Sequence, residues 1–275
     1  MANFSLEDVK VLRERLGTGM IDTKNALVEA DGDMEKAVEI LRLKGAKGNA
    51  KRADRSTSEG LVVAKETAGA VYLIELACET DFVAKNEKFI ALAEVVADAI
   101  AAAGADSLDA ALAASVGSQS VADRISDDAA IIGEKVELRR VAKVAGDKFA
   151  VYLHRTSKDL PPQVGVVVAY TGSDDETARA IAQHISFADP QYLAKSDVPQ
   201  SEVDNERRIV EEISRGEGKP DAALPKIVEG RLGGFFKQVA LLEQDYARDN
   251  KLTVQQVLDQ AGLAVSGFVR FKVGA

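Results

Sequence analysis

A single cysteine and two histidines occur among the 275 residues, and each scarcity removes a class of function. One thiol, Cys78, rules out an internal disulfide, and with only His154 and His184 beside it no Cys/His zinc set can be assembled. Cys78 closes an apolar run, where a free cysteine behaves as a small hydrophobe, and is read as inert packing. His154 falls late in a strand next to Tyr152 and His184 in an amphipathic helix, so both are expected in structural or solvent-facing roles. Positive charge is also short. Against 44 acidic residues stand 35 basic ones, a net charge of −9, too acidic to concentrate nucleic acid or anionic lipid. No stretch of about 18 uncharged apolar residues occurs, and residues 1–16 carry acids and bases throughout, without the apolar segment of a signal peptide. A soluble, cytoplasmic chain with neither a membrane nor a nucleic-acid partner is expected.

Catalytic grammar is missing as well. Gly17-Thr18-Gly19 lacks the flanking glycine and the Lys-Ser/Thr that complete a phosphate cradle, and no G-x-G-x-x-G follows a strand. Neither G-x-S-x-G nor H-E-x-x-H is present. The carboxylates fall on solvated helix faces, Glu211 and Glu212 for example, and not singly in apolar stretches where burial raises a pKa. Covalent chemistry therefore has no positive support, and no cofactor, metal or directly bound nucleotide is expected.

What is present suits two or three folded units, since the length exceeds one ordinary domain and 46% hydrophobic content fills more than one core. Ser5 and Asp8 form a capping-box pattern before Val9, Leu12 and Leu16, which share a helical stripe. Gly17 and Gly19 break that helix. Asp22 caps a second helix with Ala26, Leu27 and Ala30; Gly32 stops it, and Asp33 opens a third with Ala37, Val38 and Leu41 that Gly45 closes. Residues 1–45 thus read as a small helical bundle. From 44 to 58 apolar periodicity disappears and five bases face only Asp54, so residues 46–58 read as a basic linker, either a solvated tether or an arm for an acidic partner.

Strands follow. Residues 61–65 and 71–77 flank a Thr67-Ala68-Gly69 turn as a hairpin, a helix spans about 85–103, another 121–132, and 136–144 returns to strand. The order recurs with strands at 149–153 and 164–170 across a Pro161-Pro162 turn, a helix from about 175 to 186 and a strand at 267–273. We read an α+β core of two related subdomains, 59–145 and 146–275, packed sheet beside sheet with helices on one face. The second carries an insertion at about 201–233: Val203, Val210 and Ile213 at heptad spacing are answered, across a turn, by Leu224, Ile227, Val228 and Leu232, an antiparallel helical hairpin whose narrow seam predicts a projection. It is either a partner's handle or a tolerated insertion.

Between the first hairpin and its helix the chain reads TDFVAKN, residues 80–86. Thr80 or Asp81 can cap the helix, with Phe82 as a hydrophobic staple. The matching place in the second subdomain, Gly172-Ser173-Asp174-Asp175, has no aromatic residue, so the fold does not demand one, and an Asp-Phe pair at a loop tip also suits insertion into another protein.

These segments together resemble the elongation factor Ts family, over residues 4–274. The resemblance lies in Leu12-Arg13-Glu14-Arg15-Leu16-Gly17-Thr18-Gly19-Met20-Ile21-Asp22, in TDFVAKN, which is the family's signature, in Ile132-Gly133-Glu134, Arg139-Arg140-Val141, Gly165-Val166-Val167-Val168, Val228-Glu229-Gly230-Arg231 and Gly267-Phe268-Val269-Arg270-Phe271. It implies a bundle like a ubiquitin-associated domain, a two-part core and an inserted coiled coil. It further implies guanine-nucleotide exchange on elongation factor Tu, GDP-bound and nucleotide-free, with the bundle gripping the GTPase domain through Arg13, Met20 and Ile21. Thr80, Asp81, Phe82 and Val83 would form the magnesium-displacing loop, Ile132 and Gly133 would add core contacts, and the second subdomain would reach another domain of the partner. Leu16 and Ile21 depart from the family's usual Thr and Met, and the additional carboxy-terminal module of some relatives is expected to be absent. A rival reading, a binding module whose first 45 residues suffice, and a third, an enzyme with an inter-subdomain cleft, make different predictions: exchange needs the TDFVAKN core.

Overall fold

The computed structural model describes residues 3–16 and 18–275. Helix α1 (Leu6–Leu16) opens on the expected reciprocal bonds: the Ser5 N–H donates to Asp8 Oδ2 at 2.7 Å and the Asp8 N–H to Ser5 Oγ at 3.2 Å. The Ser5 N–H and the Ser5 hydroxyl, both donating to Oδ2, hold the Asp8 carboxyl below its ordinary pKa. Helix α2 (Met20–Glu29) begins three residues earlier than read, with Gly19 as its N-cap and Asp22 inside the first turn; Gly17 lies outside the described residues. Gly32, at φ +86°, ends the connection, and the Asp33 side chain accepts the N–H groups of Glu35 and Lys36 to start α3 (Met34–Arg52). Val9, Leu12, Ala26, Leu27, Ala37 and Leu41 form the core of the three.

Helix α3 corrects the sequence reading. It does not close at Gly45 but continues through Arg52, so most of the basic stretch is helix. Alanine, lysine and arginine are good helix formers, and the docking surface is too polar and small-sided to register as periodicity.

The first α+β unit runs β1 (Glu59–Thr67), β2 (Ala70–Cys78), α4 (Asp81–Ala84), α5 (Glu87–Ala103), α6 (Leu108–Ala113), the short strands β3 (Ser115–Val116) and β4 (Gln119–Ser120), α7 (Val121–Ile132) and β5 (Val136–Ala145). Helix α3 lies on α7. Arg42 pairs with Asp127 at 2.9 Å, Asn49 Nδ2 donates to the Ser126 carbonyl at 2.8 Å, and a methyl group on Gly45 would come within 2.7 Å of Ala130 Cβ.

In the second unit β6 (Lys148–His154), β7 (Val164–Thr171) and α8 (Asp175–Ala188) come first. Helices α9 (Gln200–Gly216) and α10 (Leu224–Val239) follow, then β8 (Asp245–Tyr246), β9 (Asp249–Thr253), α11 (Val254–Ala261) and β10 (Ala264–Lys272). The connection from β6 to β7 is a nine-residue loop, 155–163, wider than a turn at Pro161-Pro162. Both sheets are antiparallel with the second strand in the middle, in the orders β1-β2-β5 and β6-β7-β10. In both, a short strand pair and a capped helix, Ser120 on α7 and Thr253 on α11, precede the third strand. The helix pair α9–α10 interrupts the second copy only.

The sheets pack face to face, where the sequence had suggested sheet beside sheet. Val62, Val71, Leu73 and Val144 of one meet Val167, Ala169 and Phe271 of the other. Alternate residues of the central strands point outward, Tyr72, Ile74 and Leu76 under α5 and α7, Val166, Val168 and Tyr170 under α8 and α11. Burial on both faces makes β2 and β7 continuous apolar runs. At Gly165 the sheets come so close that a Cβ would lie 2.8 Å from Leu73 Cδ1.

One charge lies within this region. Glu75 on β2 is fully buried; Arg140 Nε donates to it at 2.6 Å, and Arg139 Nη1 stands 3.8 Å away. Arg140 also donates to the Lys272 carbonyl at 2.6 Å and lies over the Phe271 ring, so the pair ties β2 and β5 to β10.

On α9 and α10, Val210 and Ser214 face Val228, Leu232 and Phe236, while Ile213, expected in the seam, is 48% exposed. Arg207 pairs with Glu229 at 2.5 Å and Arg231 with Glu217 at 2.7 Å, which ties the two arms together on their exposed sides.

Candidate functional site

Between β2 and α5 the chain takes eight residues, 79–86; between β7 and α8 it takes three, 172–174. The surplus in the first copy is α4, a single helical turn. Thr80 is its N-cap, its Oγ1 accepting the Val83 N–H at 3.4 Å, and the Ala84 and Lys85 N–H groups close on the carbonyls of Thr80 and Asp81. Asn86 then ends the turn and caps α5 through the Lys88 N–H at 2.9 Å. The long helix read from residue 85 therefore starts at Glu87, because two capping residues six apart make two helices.

Val83 and Ala84 point into the core of the first unit and anchor the turn. Phe82 points the other way and is 73% exposed, so it is no staple. Its ring faces Lys85 Nζ, 4.5 Å from the centroid, and the same ammonium lies 3.3 Å from Asp81 Oδ2. An aromatic ring and a carboxylate are thus displayed side by side over one lysine. Exposing most of a phenylalanine forgoes roughly 1.5–3 kcal/mol of burial, a cost the fold itself does not require, as the second copy demonstrates.

The base of the turn is clamped to the segment after α7. The Thr80 N–H donates to Glu134 Oε2 at 3.1 Å and the Thr80 hydroxyl to Glu134 Oε1 at 2.6 Å; reciprocally, the Lys135 N–H donates to Glu79 Oε1 at 2.6 Å. That backbone bond, with Arg55 beside it, holds the Glu79 carboxyl below its ordinary pKa. Gly133, at φ +85°, ends α7 and turns the chain toward Thr80. Ile132 packs on the core of the first unit. The sequence-derived pair Ile132 and Gly133 is thereby brought beside the residues 80–83, whereas Glu79 carried no signal and Glu134 and Lys85 stood in motifs without a role, since a carboxylate reaching across 54 residues leaves no periodic trace.

Residues 79–275 match the family model described as Elongation factor TS. Elongation factor Ts of Leifsonia xyli subsp. xyli is 73% identical over 276 aligned residues, covering all of both chains. That of Clavibacter sepedonicus is 70% identical over 275, again end to end, and that of Mycobacterium ulcerans 56% over 275, with 99% of its own length covered. The chain belongs to the elongation factor Ts family. It is accordingly an elongation factor of protein biosynthesis, of the exchange-factor class.

The match to elongation factor Ts begins at the first residue of the clamped loop. Outside it, Met20 and Ile21, 50% and 75% exposed, open α2, and exposed Arg13 lies on α1. These three are not in the loop; their helices pack on α3, which in turn packs on α7. Other sequence candidates have structural roles in this elongation factor Ts family member. Burial pushes the Cys78 thiol up to about 12. His184 is buried, its ring bonded to Gln244 Oε1 at 2.9 Å and accepting the Ala247 N–H at Nδ1. His154 remains at the end of β6 beside Tyr152. No helix is long and apolar enough to cross a membrane among the described residues.

Proposed function

We propose that this chain, acting in the cytoplasm, binds elongation factor Tu in its GDP-bound and nucleotide-free forms and speeds GDP release by inserting residues 80–83 beside the partner's magnesium and phosphate site. The observation that carries this reading is Phe82, an exposed ring on a helical turn whose other side is anchored by Val83 and Ala84. Such a ring is presented at little entropic cost, and aromatic anchors dominate binding hot spots. Tightly held GDP depends on a metal bridging phosphate and protein and on backbone N–H groups around the phosphates. In this mechanism Phe82 wedges apart elements of the partner's GTPase domain while Asp81 disturbs the bonds that hold the metal shell. The metal loosens and GDP leaves, with no bond made or broken by this chain. By linkage, any factor by which the chain weakens GDP binding is the factor by which GDP weakens the chain's own binding, which lets GTP displace it.

Residues 1–45 in this reading are a unit like a ubiquitin-associated domain that grips the GTPase domain through Arg13, Met20 and Ile21. Residues 46–58 form the connector, 59–145 and 146–275 the two core subdomains, Ile132 and Gly133 further contacts, and the insertion at about 201–233 a coiled coil. A 10⁴-fold acceleration corresponds to about 5.5 kcal/mol of barrier, within reach of a lost metal contact plus an aromatic anchor. Stopped-flow release of labelled GDP from elongation factor Tu tests the mechanism. Phe82→Ala and Asp81→Ala are expected to slow saturating release by about tenfold or more, and exchange at the parent's rate by both, with binding intact, refutes the wedge.

A further inference from the structure

Phe82 and Asp81 have Lys85, in their own turn, as side-chain partner, so what aims them is the backbone at Thr80. The Thr80 hydroxyl has one hydrogen to give and lone pairs to accept with. Glu134 takes that hydrogen at 2.6 Å, which leaves a lone pair for the Val83 N–H that starts α4, and its other oxygen takes the Thr80 N–H at 3.1 Å. One carboxylate thus fixes both the position of Thr80 and the rotation of the capping hydroxyl. Both bonds are charge-assisted, the stronger kind of hydrogen bond. Gly133 supplies the left-handed turn that returns Glu134 to the loop, and Glu79 answers in the opposite direction through the Lys135 N–H.

We propose that Glu134 is the positioning residue of the exchange loop, a latch that holds α4 at the angle from which Phe82 enters the partner. The proposal rests on the reading of Phe82 given above, and its test separates the two. The chain contains no tryptophan, so Phe82→Trp places a single fluorescent indole on the turn. In that background Glu134→Ala is expected to lower the indole's fluorescence anisotropy in the free protein with little change in thermal midpoint, and Glu134→Gln, which keeps one acceptor oxygen, to lower it less. In the parent background Glu134→Ala is expected to slow GDP release at saturating concentration by about tenfold, with the half-saturating concentration changed by less than about twofold. Thr80→Val combined with Glu134→Ala is expected to be no slower than the slower single variant, because both remove the same contact. Unchanged indole anisotropy in both Glu134 variants, or multiplying effects in the double variant, overturns the latch. If anisotropy falls while saturating release stays at the parent's rate, the latch stands and the role given to Phe82 is what fails.

Discussion

Gly165 shows how one missing methyl group sets the spacing of two sheets. A Cβ there would lie 2.8 Å from Leu73 Cδ1 and 3.1 Å from Val62 Cγ2, both in the sealed layer between the sheets. Gly165→Ala is therefore expected to destabilise the protein by about 1–3 kcal/mol through overpacking, read as a lower urea midpoint at unchanged slope. His184 is the residue that gives stability a pH dependence near neutrality. Burial, partly offset by the Gln244 bond, holds its pKa below the ordinary 6.5. Below pH 6.5 the unfolded chain therefore gains a proton before the folded one does, so stability falls as pH drops from 6.5 toward the lowered folded value and is fully present above it. Urea midpoints at about pH 7.5 and about pH 5.5 are expected to differ more for the parent than for His184→Gln, which keeps an amide for Gln244 but cannot titrate.

At the scale of elements, α10 is the weakest by composition, with Gly230, Gly233 and Gly234 in its interior. A methyl group on Gly233 or Gly234 would meet nothing within 4 Å. Gly233→Ala and Gly234→Ala are each expected to stabilise α10 by about 0.5–1 kcal/mol through helix propensity and a less flexible unfolded chain, seen as slower amide hydrogen exchange across 224–239. Elements that carry their own caps and stripes were legible in the sequence: α1 from Ser5 and Asp8, α7 in both bounds, the β1–β2 hairpin from its Gly69 turn. Elements that depend on distant partners were not. The last two turns of α3 rest on α7 through Asn49 and the bare backbone of Gly45; β3, β4, β8 and β9 pair locally but, at two to five residues, are too short to show an alternating pattern. Within the candidate site the displayed residues were legible as a motif, while the clamp made by Glu79 and Glu134 joins residues 56 and 54 apart and became visible only when folding brought them together.

For the whole molecule, Arg140, held by Glu75 within the first sheet, reaches the second through the Lys272 carbonyl and the Phe271 ring. Removing the carboxylate leaves a half-buried guanidinium whose orientation over Phe271 and toward the Lys272 carbonyl is no longer fixed. Glu75→Ala is expected to cost about 3 kcal/mol and to raise amide exchange along β10, whereas Arg207→Ala, in an exposed pair, is expected to cost less than about 1 kcal/mol. The sandwich also has a consequence for the order in which the chain is made. β2 leaves the ribosome roughly 190 residues before the end of β10, which at about 5–20 residues per second is a delay of roughly 10–40 s. Val71 and Leu73 have no opposite face to meet until β7 follows roughly 90 residues after β2, and that face gains its Phe271 only at the end of the interval. The nascent amino-terminal half is thus a sticky intermediate during its own translation, and conditions that stall synthesis between the two sheets should strand it in a form that aggregates or recruits a chaperone.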